Sequence, residues 1–526
     1  MADIALKEKR PGTLVSVEAL VLREGDDVAV VVASAGVSAG AVLPGGVKAL
    51  EAVARGHKVA LRDIAKGETI KKFGHTIAVA TAPIRAGAWV HQHNAAMPSA
   101  SQMSGHEQVS HAVPGALAHL PATFMGYPRR SGLVGTRNYI VVSATVNCSA
   151  TVVKAICRHF DTREIRERLA AKGIDGIAPI THGAGCAQAI GGANYNVLNR
   201  TIAGTVFHPN VVAALFVGLG CEGTTAESIL SSARLSDLPQ DIPIEHIGIQ
   251  DSGGTASAIA AGIDAVERLI EGVPKFERVP VPVSALKIAL NCGGSDAFSS
   301  ITANPVLGIV SDMLVARGGT VVLAEIPECH GVEDLLRARA VSPEVVKRLD
   351  DTFAWWLRYA EQNACDLNNN LAPGNIAGGI TTIVEKSLGA VAKAGSSPLT
   401  DVVDYSAPIR VPGAVLMNTP GFDPVSVTGL VAGGCNMVTF TTGRGSVYGS
   451  ATAPTIKIAT NSELFKRMSG DMDFDAGQVL RDGEMTRAAE ALYKLIVEVA
   501  SGKKTSSEAL GIGWEEFVVW SVGETL

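Results

Sequence analysis

One unit recurs through most of this 526-residue chain: a run of β-forming residues, a loop holding Gly or Cys, then an Ala-rich stretch of helical character. The unit predicts parallel strands joined by crossover helices, since a parallel neighbour can be reached only by a long return over the sheet face. Strands are expected at "NYIVVSATV", "IDGIAPIT", "VVAALFVGLG" and "IEHIGIQ", and then at "LKIALN", "TVVLAEIP", "AVLMNTP", "MVTFTT" and "TIKIAT". They fall into two α/β regions, 126–282 and 283–526, with mainly parallel sheets and a seam near "KFERVPVPVSA" (Lys275–Ala285). Residues 1–97 read differently. There "DVAVVVAS", "HKVALRDI", "HTIAVATAPI" and "AWVHQH" are short β segments between Gly-containing turns, as in a small all-β domain, and residues 98–125, rich in Ser, Ala, Pro and His, read as a linker or loop. So long a chain needs more than one core.

A net charge of −6, with basic residues scattered singly or in pairs, lacks the basic footprint that nucleic acid demands. No stretch of about 18 apolar residues free of charge is present, so no membrane partner is expected. The opening "MADIALKEKRPG" has no apolar core of an export signal, which makes the cytoplasm the expected compartment. In that setting eight cysteines are free thiols, buried small residues or ligands.

In open parallel sheets, ligands bind outside the carboxyl ends of the strands. Those ends carry Cys148, then His182 with Cys186, Cys221 with Glu222, and Asp251; in the last region they carry Cys292 with Asp296, Glu325 with Glu328, Asp423 and Arg444. Free Cys favours strand and helix interiors, so its placement in Gly-rich turns points to soft ligands or reactive thiols. Upstream, "GAWVHQHN" sets His91 and His93 two apart at a strand end, where both rings would share a face; the pair reads as metal ligands or as an exposed strand edge. "GLGCEG" (Gly218–Gly223) fits G-x-G-x-x-G and leaves a nicotinamide-dependent dehydrogenase as an alternative. Against it, the motif is not in the first strand–helix unit of its region, and Glu222 would meet the pyrophosphate. No nucleotide phosphate loop occurs.

Together, "GAWVHQHN", "GYPRRSGLVGTRNYIVVSATVNC", "HGAGCAQ", "GLGCE", "CGGSDAFSSITANPVLG", "GGTVVLAEIPE", "PGNIAGGITTIVEKSLGAVAKAG", "FTTGRG" and "PTIKIATNSELF" resemble the altronate and galactarate dehydratases, in order and over nearly the whole chain. The resemblance implies a β-clip fold for the small leading domain. It further implies removal of water from a hydroxy or sugar acid to leave a 2-keto-3-deoxy acid, with a divalent metal, foremost Fe2+, with Mn2+ or Mg2+ as other choices. A related branch eliminates sulfite from sulfolactate, with the β domain often on a separate chain. Ile376 replaces a family Lys, Leu371 and Ala372 follow Asn370, Phe422 stands where Asn is common, and Cys329 and His330 are also unusual. These changes imply a less hydroxylated, less anionic or differently shaped substrate tail.

Dehydration next to a carboxylate needs a Lewis acid for the enediolate and a base and an acid of moderate pKa. His91, His93 and His182 are the expected proton-transfer residues, a loop-capping imidazole being the plainer reading of His182. His91, His93, Cys148, Cys186, Cys221, Cys292 and Glu328 are the expected ligands. Alternatively, three of the four thiols hold an iron–sulfur cluster with one iron open. Ser295, Asp296, Asn304, Asn375 and Arg444 are expected to hold the substrate, with an N-cap as the other role of Asp296. Glu385 and Lys386 are expected on a solvated helix face. The partner is a small hydroxy acid, and a homo-oligomer is left open.

Overall fold

The structure, a computed structural model, describes residues 18–103, 117–523 and 525–526. The opening stretch read for a leader and the centre of the 98–125 segment lie outside the described residues.

The leading domain is all β. Ala19–Leu20, Val28–Val31, Lys58–Ala60 and Trp89–Val90 form one antiparallel sheet, and Thr69–Lys72, His75–Ala80 and Ala95–Ala96 another. One expectation fails here: the strand ends at Val90, and His91–Asn94 is a turn, so His91 and His93 do not share a strand face. Asn94 is the cause. Its side chain accepts from His91 N and donates to Trp89 O, and its own N–H and that of Ala95 donate to His91 O, which replaces ladder bonds with local ones.

The middle sheet runs Gly176–Ile180, Tyr139–Ala144, Val211–Gly218, Ile244–Gly248, all parallel. Its apolar strands are buried on both faces. Ile140 and Val142 pack with Val152, Ile156 and Val266 on one side, while Val141 packs with Ile202, Val206 and Ile229 on the other. The last sheet has seven parallel strands in the order Leu399–Val403, Gly413–Met417, Thr320–Leu323, Lys287–Cys292, Met437–Thr442, Thr455–Ala459, Phe474–Asp475. Again alternate residues divide between two cores, Ile288 and Leu290 in one and Ala289 in the other. The two edge strands escape the sequence pattern because "LTDVV" and "FD" are short and carry charge. The Pro–Val seam is itself a strand, Val279–Pro282, antiparallel to Thr123–Pro128; Pro280 and Pro282 are tolerated because the strand is an edge.

Candidate active site

In the seven-stranded sheet the chain starts at Lys287–Cys292, moves to Thr320–Leu323 on one side and later returns to Met437–Thr442 on the other. The crevice at this switch point is where an open α/β sheet binds ligands. Cys292 ends the first strand there, and Gly293 follows because a Cβ on it would stand 2.5 Å from the Phe440 ring. The next strand delivers Glu325 and Glu328, and the helix Ile383–Ala392 brings Lys386 and, at its C-terminal end, Lys393.

These five side chains are buried and connected. The Cys292 thiol donates to Glu328 Oε2 at 3.0 Å and lies 3.4 Å from Glu325 Oε2. Lys393 Nζ donates to Cys292 Sγ and to Glu325 Oε2, both at 2.9 Å. Lys386 Nζ donates to Glu328 Oε1 at 2.8 Å and to Asn370 O and Oδ1 at 2.9 Å. Two carboxylates therefore face two ammonium groups. Burial drives the Glu325 carboxyl upward, with Lys393 opposing and Glu328 adding to the rise. Burial, Glu325 and Glu328 also raise the Cys292 thiol and the Asp423 carboxyl well above their ordinary values. For both lysines burial is outweighed by the surrounding acids, so their ammonium forms are favoured. Glu325 has left-handed backbone (φ 64°, ψ 59°), a strain of the kind kept where a side chain's aim matters.

Among the described residues, Cys292, Glu325 and Glu328 are the one group of three or more His, Cys, Asp or Glu whose ligand atoms lie within 4.8 Å of one another. The set fits a divalent cation: it combines carboxylates with a thiol, and Glu325 Oε1 is buried without a hydrogen-bond partner. The wider set expected from the sequence does not gather. Of it, Cys292 and Glu328 meet here, whereas Cys148, Cys186 and Cys221 are exposed on the rim of the other sheet.

The β domain docks onto the residues leading into the same helix. Lys58 and Lys72, both buried, donate to Glu385 at 2.8 and 2.7 Å, and Lys58 also donates to Gly379 O at 2.7 Å. Burial would raise the Glu385 carboxyl, but the two ammonium groups overcome it and hold it down at about 2. Burial, countered by Glu385 and assisted by Lys72, lowers Lys58 to about 8, so it remains charged at neutral pH. Glu385 and Lys386 thus form ionic cores, not a solvated face, because the β domain covers one and the switch-point loops the other. His91 is buried, its Nδ1 3.3 Å from Thr381 Oγ1, and burial with the nearby Lys58 lowers it to about 4. Its ring stacks on Trp89, and exposed His93 lies against the same indole.

His182 is buried in the middle domain, its Nδ1 accepting from Ala184 N at 3.2 Å and its Nε2 3.1 Å from Ala144 O. Burial lowers it to about 4. Asp296 accepts from Ser299 N and Thr460 Oγ1, a loop-bracing role that accounts for its burial. Asn375 Nδ2 donates to Ser295 O, and Asn304 Nδ2 to Gly389 O, with Asn304 Oδ1 left without a partner. Cys292, Ser295, Asp296, Asn304, Glu385 and Lys386 line one cavity of about 10 Å³. Arg444 is exposed beside Gly294. Sequence reasoning missed Lys393, Lys58 and Lys72. Lone lysines carry no spacing signal, although Lys58 and Lys72 in β-rich runs were a hint of buried charge.

Three domain families match in sequence: the altronate/galactarate dehydratase SAF domain over 17–98, the D-galactarate dehydratase/altronate hydrolase second domain over 126–273, and the D-galactarate/altronate dehydratase C-terminal domain over 283–525. The chain is 38% identical to an altronate dehydratase of Escherichia coli over 90% of this chain and 92% of that protein. It is 34% identical to the E. coli galactarate dehydratase (L-threo-forming), over 97% and 98%. It is 30% identical to the (2R)-sulfolactate sulfo-lyase subunit beta of Chromohalobacter salexigens, over 77% and 98%. The crevice of acids and lysines, the docked β domain and these matches along the chain lead to one conclusion: the protein belongs to the altronate and galactarate dehydratase family and is a hydro-lyase that forms a deoxy keto acid.

Proposed function

We propose that the buried Cys292–Glu325–Glu328–Lys386–Lys393 group, with Asp423, is where a hydroxy acid loses water. The observation that carries the reading is the close meeting of two acids, a thiol and two lysines at the switch point of the seven-stranded sheet. Cys292, Glu325 and Glu328 would hold a divalent cation, Fe2+ being our choice, which when bound supplies Lewis-acid stabilisation of the charge that grows on the substrate carboxylate. Lys386 and Lys393 add two fixed positive charges on the same side, already desolvated and needing no rearrangement. Asp423, whose proton is favoured by burial and by Glu325 and Glu328, can deliver it to the departing hydroxyl. His91, held neutral, can accept the proton from the carbon next to the carboxylate, with His93 beside it on the exposed side of Trp89. Arg444 is the group we assign to a distal carboxylate or hydroxyl, and Ser295, Asp296, Asn304 and Asn375 hold the loops against which the substrate rests. Elimination by this machinery is a cytoplasmic, catabolic activity.

The substrate is narrower in polarity than altronate or galactarate. Phe422 is 47% exposed next to Asp423, and Ile376 lies partly exposed on the segment that the β domain covers; neither offers the hydrogen bond or charge of an Asn or Lys. The test is a screen of the anaerobically prepared full-length chain with altronate, galactarate, simpler hydroxy acids and sulfolactate. Keto acid should form without sulfite or NADH. Sulfite release from sulfolactate as the fastest reaction, or reduction of NAD, would overturn the reading.

A further inference from the structure

Of the seven cysteines outside the acid–lysine group, three stand on one rim. Cys148, Cys186 and Cys221 follow Tyr139–Ala144, Gly176–Ile180 and Val211–Gly218, three neighbouring strands with the first in the centre. Their loops leave the sheet at its own switch point, because the chain passes from the central strand to one side and then to the other.

The loops are stitched together within two residues of every thiol. Asn147 N donates to Ala184 O at 2.9 Å, and Asn147 Nδ2 to His182 O at 3.1 Å. Gly223 N and Thr224 N donate to Gly185 O at 3.0 and 3.1 Å, and Thr145 Oγ1 donates to Glu222 Oε1 at 2.9 Å. The approach depends on glycine at 185, which has φ 99°; a Cβ there would stand 2.4 Å from Thr145 O. Of the other ionisable groups of the rim, Glu222 and His182 are held by backbone, and Asp251, beyond the edge strand Ile244–Gly248, is exposed. Glu222 Oε2 accepts from Gly220 N and Cys221 N, and both His182 nitrogens meet backbone. The thiols face outward. Cys148, Cys186 and Cys221 are exposed, in contrast to Cys157, Cys292, Cys329 and Cys435, and Gln250 Nε2 donates to Cys221 Sγ at 3.9 Å.

We propose that Cys148, Cys186 and Cys221 are the three protein ligands of a [4Fe–4S] cluster whose fourth iron faces solvent and takes an exogenous oxygen ligand. Size selects the cluster over a single ion. Three thiolates on one tetrahedral zinc, at about 2.3 Å each, would bring the sulfurs to about 3.8 Å of one another, whereas these three do not come within 4.8 Å as a group. A cube-shaped cluster spans a wider triangle and leaves one corner without a protein ligand. The cluster in its 2+ state is two ferrous and two ferric ions with four sulfides, and taking it up replaces three S–H bonds with three Fe–S bonds and releases three protons, with no change of oxidation state in that step. The proposal stands apart from the hydro-lyase reading, since its readouts need no turnover.

The full-length chain should be purified without oxygen, reconstituted with equal parts of ferrous and ferric iron and with sulfide, and assayed for iron, acid-labile sulfide, visible absorption and the EPR signal of the cluster after one-electron reduction. One cluster per chain is expected, and mild oxidation should release one iron and give the EPR signal of a three-iron cluster. Cys148→Ser, Cys186→Ser and Cys221→Ser should each lose the bound sulfide while keeping the wild-type circular dichroism and melting temperature, because the thiols are exposed. Cys365→Ser should keep the cluster. Iron or zinc taken up without sulfide, sulfide retained by the three serine variants, or a cluster that survives oxidation with all its iron would overturn the proposal.

Discussion

Glu385 in the last domain accepts from Lys58 in the first at 2.8 Å, across 327 residues of sequence, with both side chains buried. Lys72 reaches the other carboxylate oxygen at 2.7 Å. Removing the negative charge would leave two ammonium groups buried without compensation. Glu385→Gln should therefore cost about 3–5 kcal/mol, seen as a lower denaturant midpoint and as faster proteolysis between the β domain and the rest. A midpoint within error of wild type would show that this pair does not hold the domains together.

His91 and His182 should each make stability fall on mild acidification, a loss that the raised carboxyls of Glu325 and Asp423 oppose over the same range. His91 and His182 have folded values near 4 against 6.5 for the free side chain, so between those limits the unfolded chain binds protons that the folded chain does not. Their contribution is full above pH 6.5 and is lost as pH falls towards 4. Glu385, held down at about 2 against 4.5, adds a loss of the same sign from 4.5 downward. Urea titrations at stepped pH of the wild type and of a His91→Gln, His182→Gln variant check this; a variant whose midpoint changes between pH 7 and 4.5 just as the wild type's does would contradict it.

Asp423→Asn keeps shape but removes the proton donor, and its kcat should fall by about 10²–10⁴-fold with KM little changed. The wild-type rate should fall as pH rises through the raised value of Asp423, and the variant should lack that limb. Lys386→Met should lower kcat as well, without removing the limb. An Asn variant with wild-type kcat and pH profile would exclude Asp423 as the acid.

Phe422→Asn combined with Ile376→Lys should raise kcat/KM for altronate or galactarate relative to the best native substrate by roughly tenfold, the worth of one regained hydrogen bond of about 1.4 kcal/mol. Steady-state kinetics on both substrates gives the ratio. No change in it would place substrate choice elsewhere.

Much of the architecture was legible because parallel strands buried on both faces read as unbroken apolar runs, as in "VVAALFVG". The loops after those runs were legible for the same reason, and they do hold Cys292, Glu325, Glu328 and the three rim thiols. His91 and His93 misled because strand periodicity was extended past Val90 through His93, into a turn that Asn94 closes. Glu385 and Lys386 misled because a helix of Glu, Lys, Ser and Ala looks solvated until its neighbours are known.

The sequence by itself determined the parallel sheets, the rims that carry chemistry and the family, since each follows from local pattern or from strings in order along the chain. Only the tertiary structure decided which rim groups meet. Lys58 finds Glu385 and Lys393 finds Cys292 through the docking of distant segments. Whether a charged side chain is solvated, paired or poised for proton transfer depends on what covers it, and no local pattern carries that.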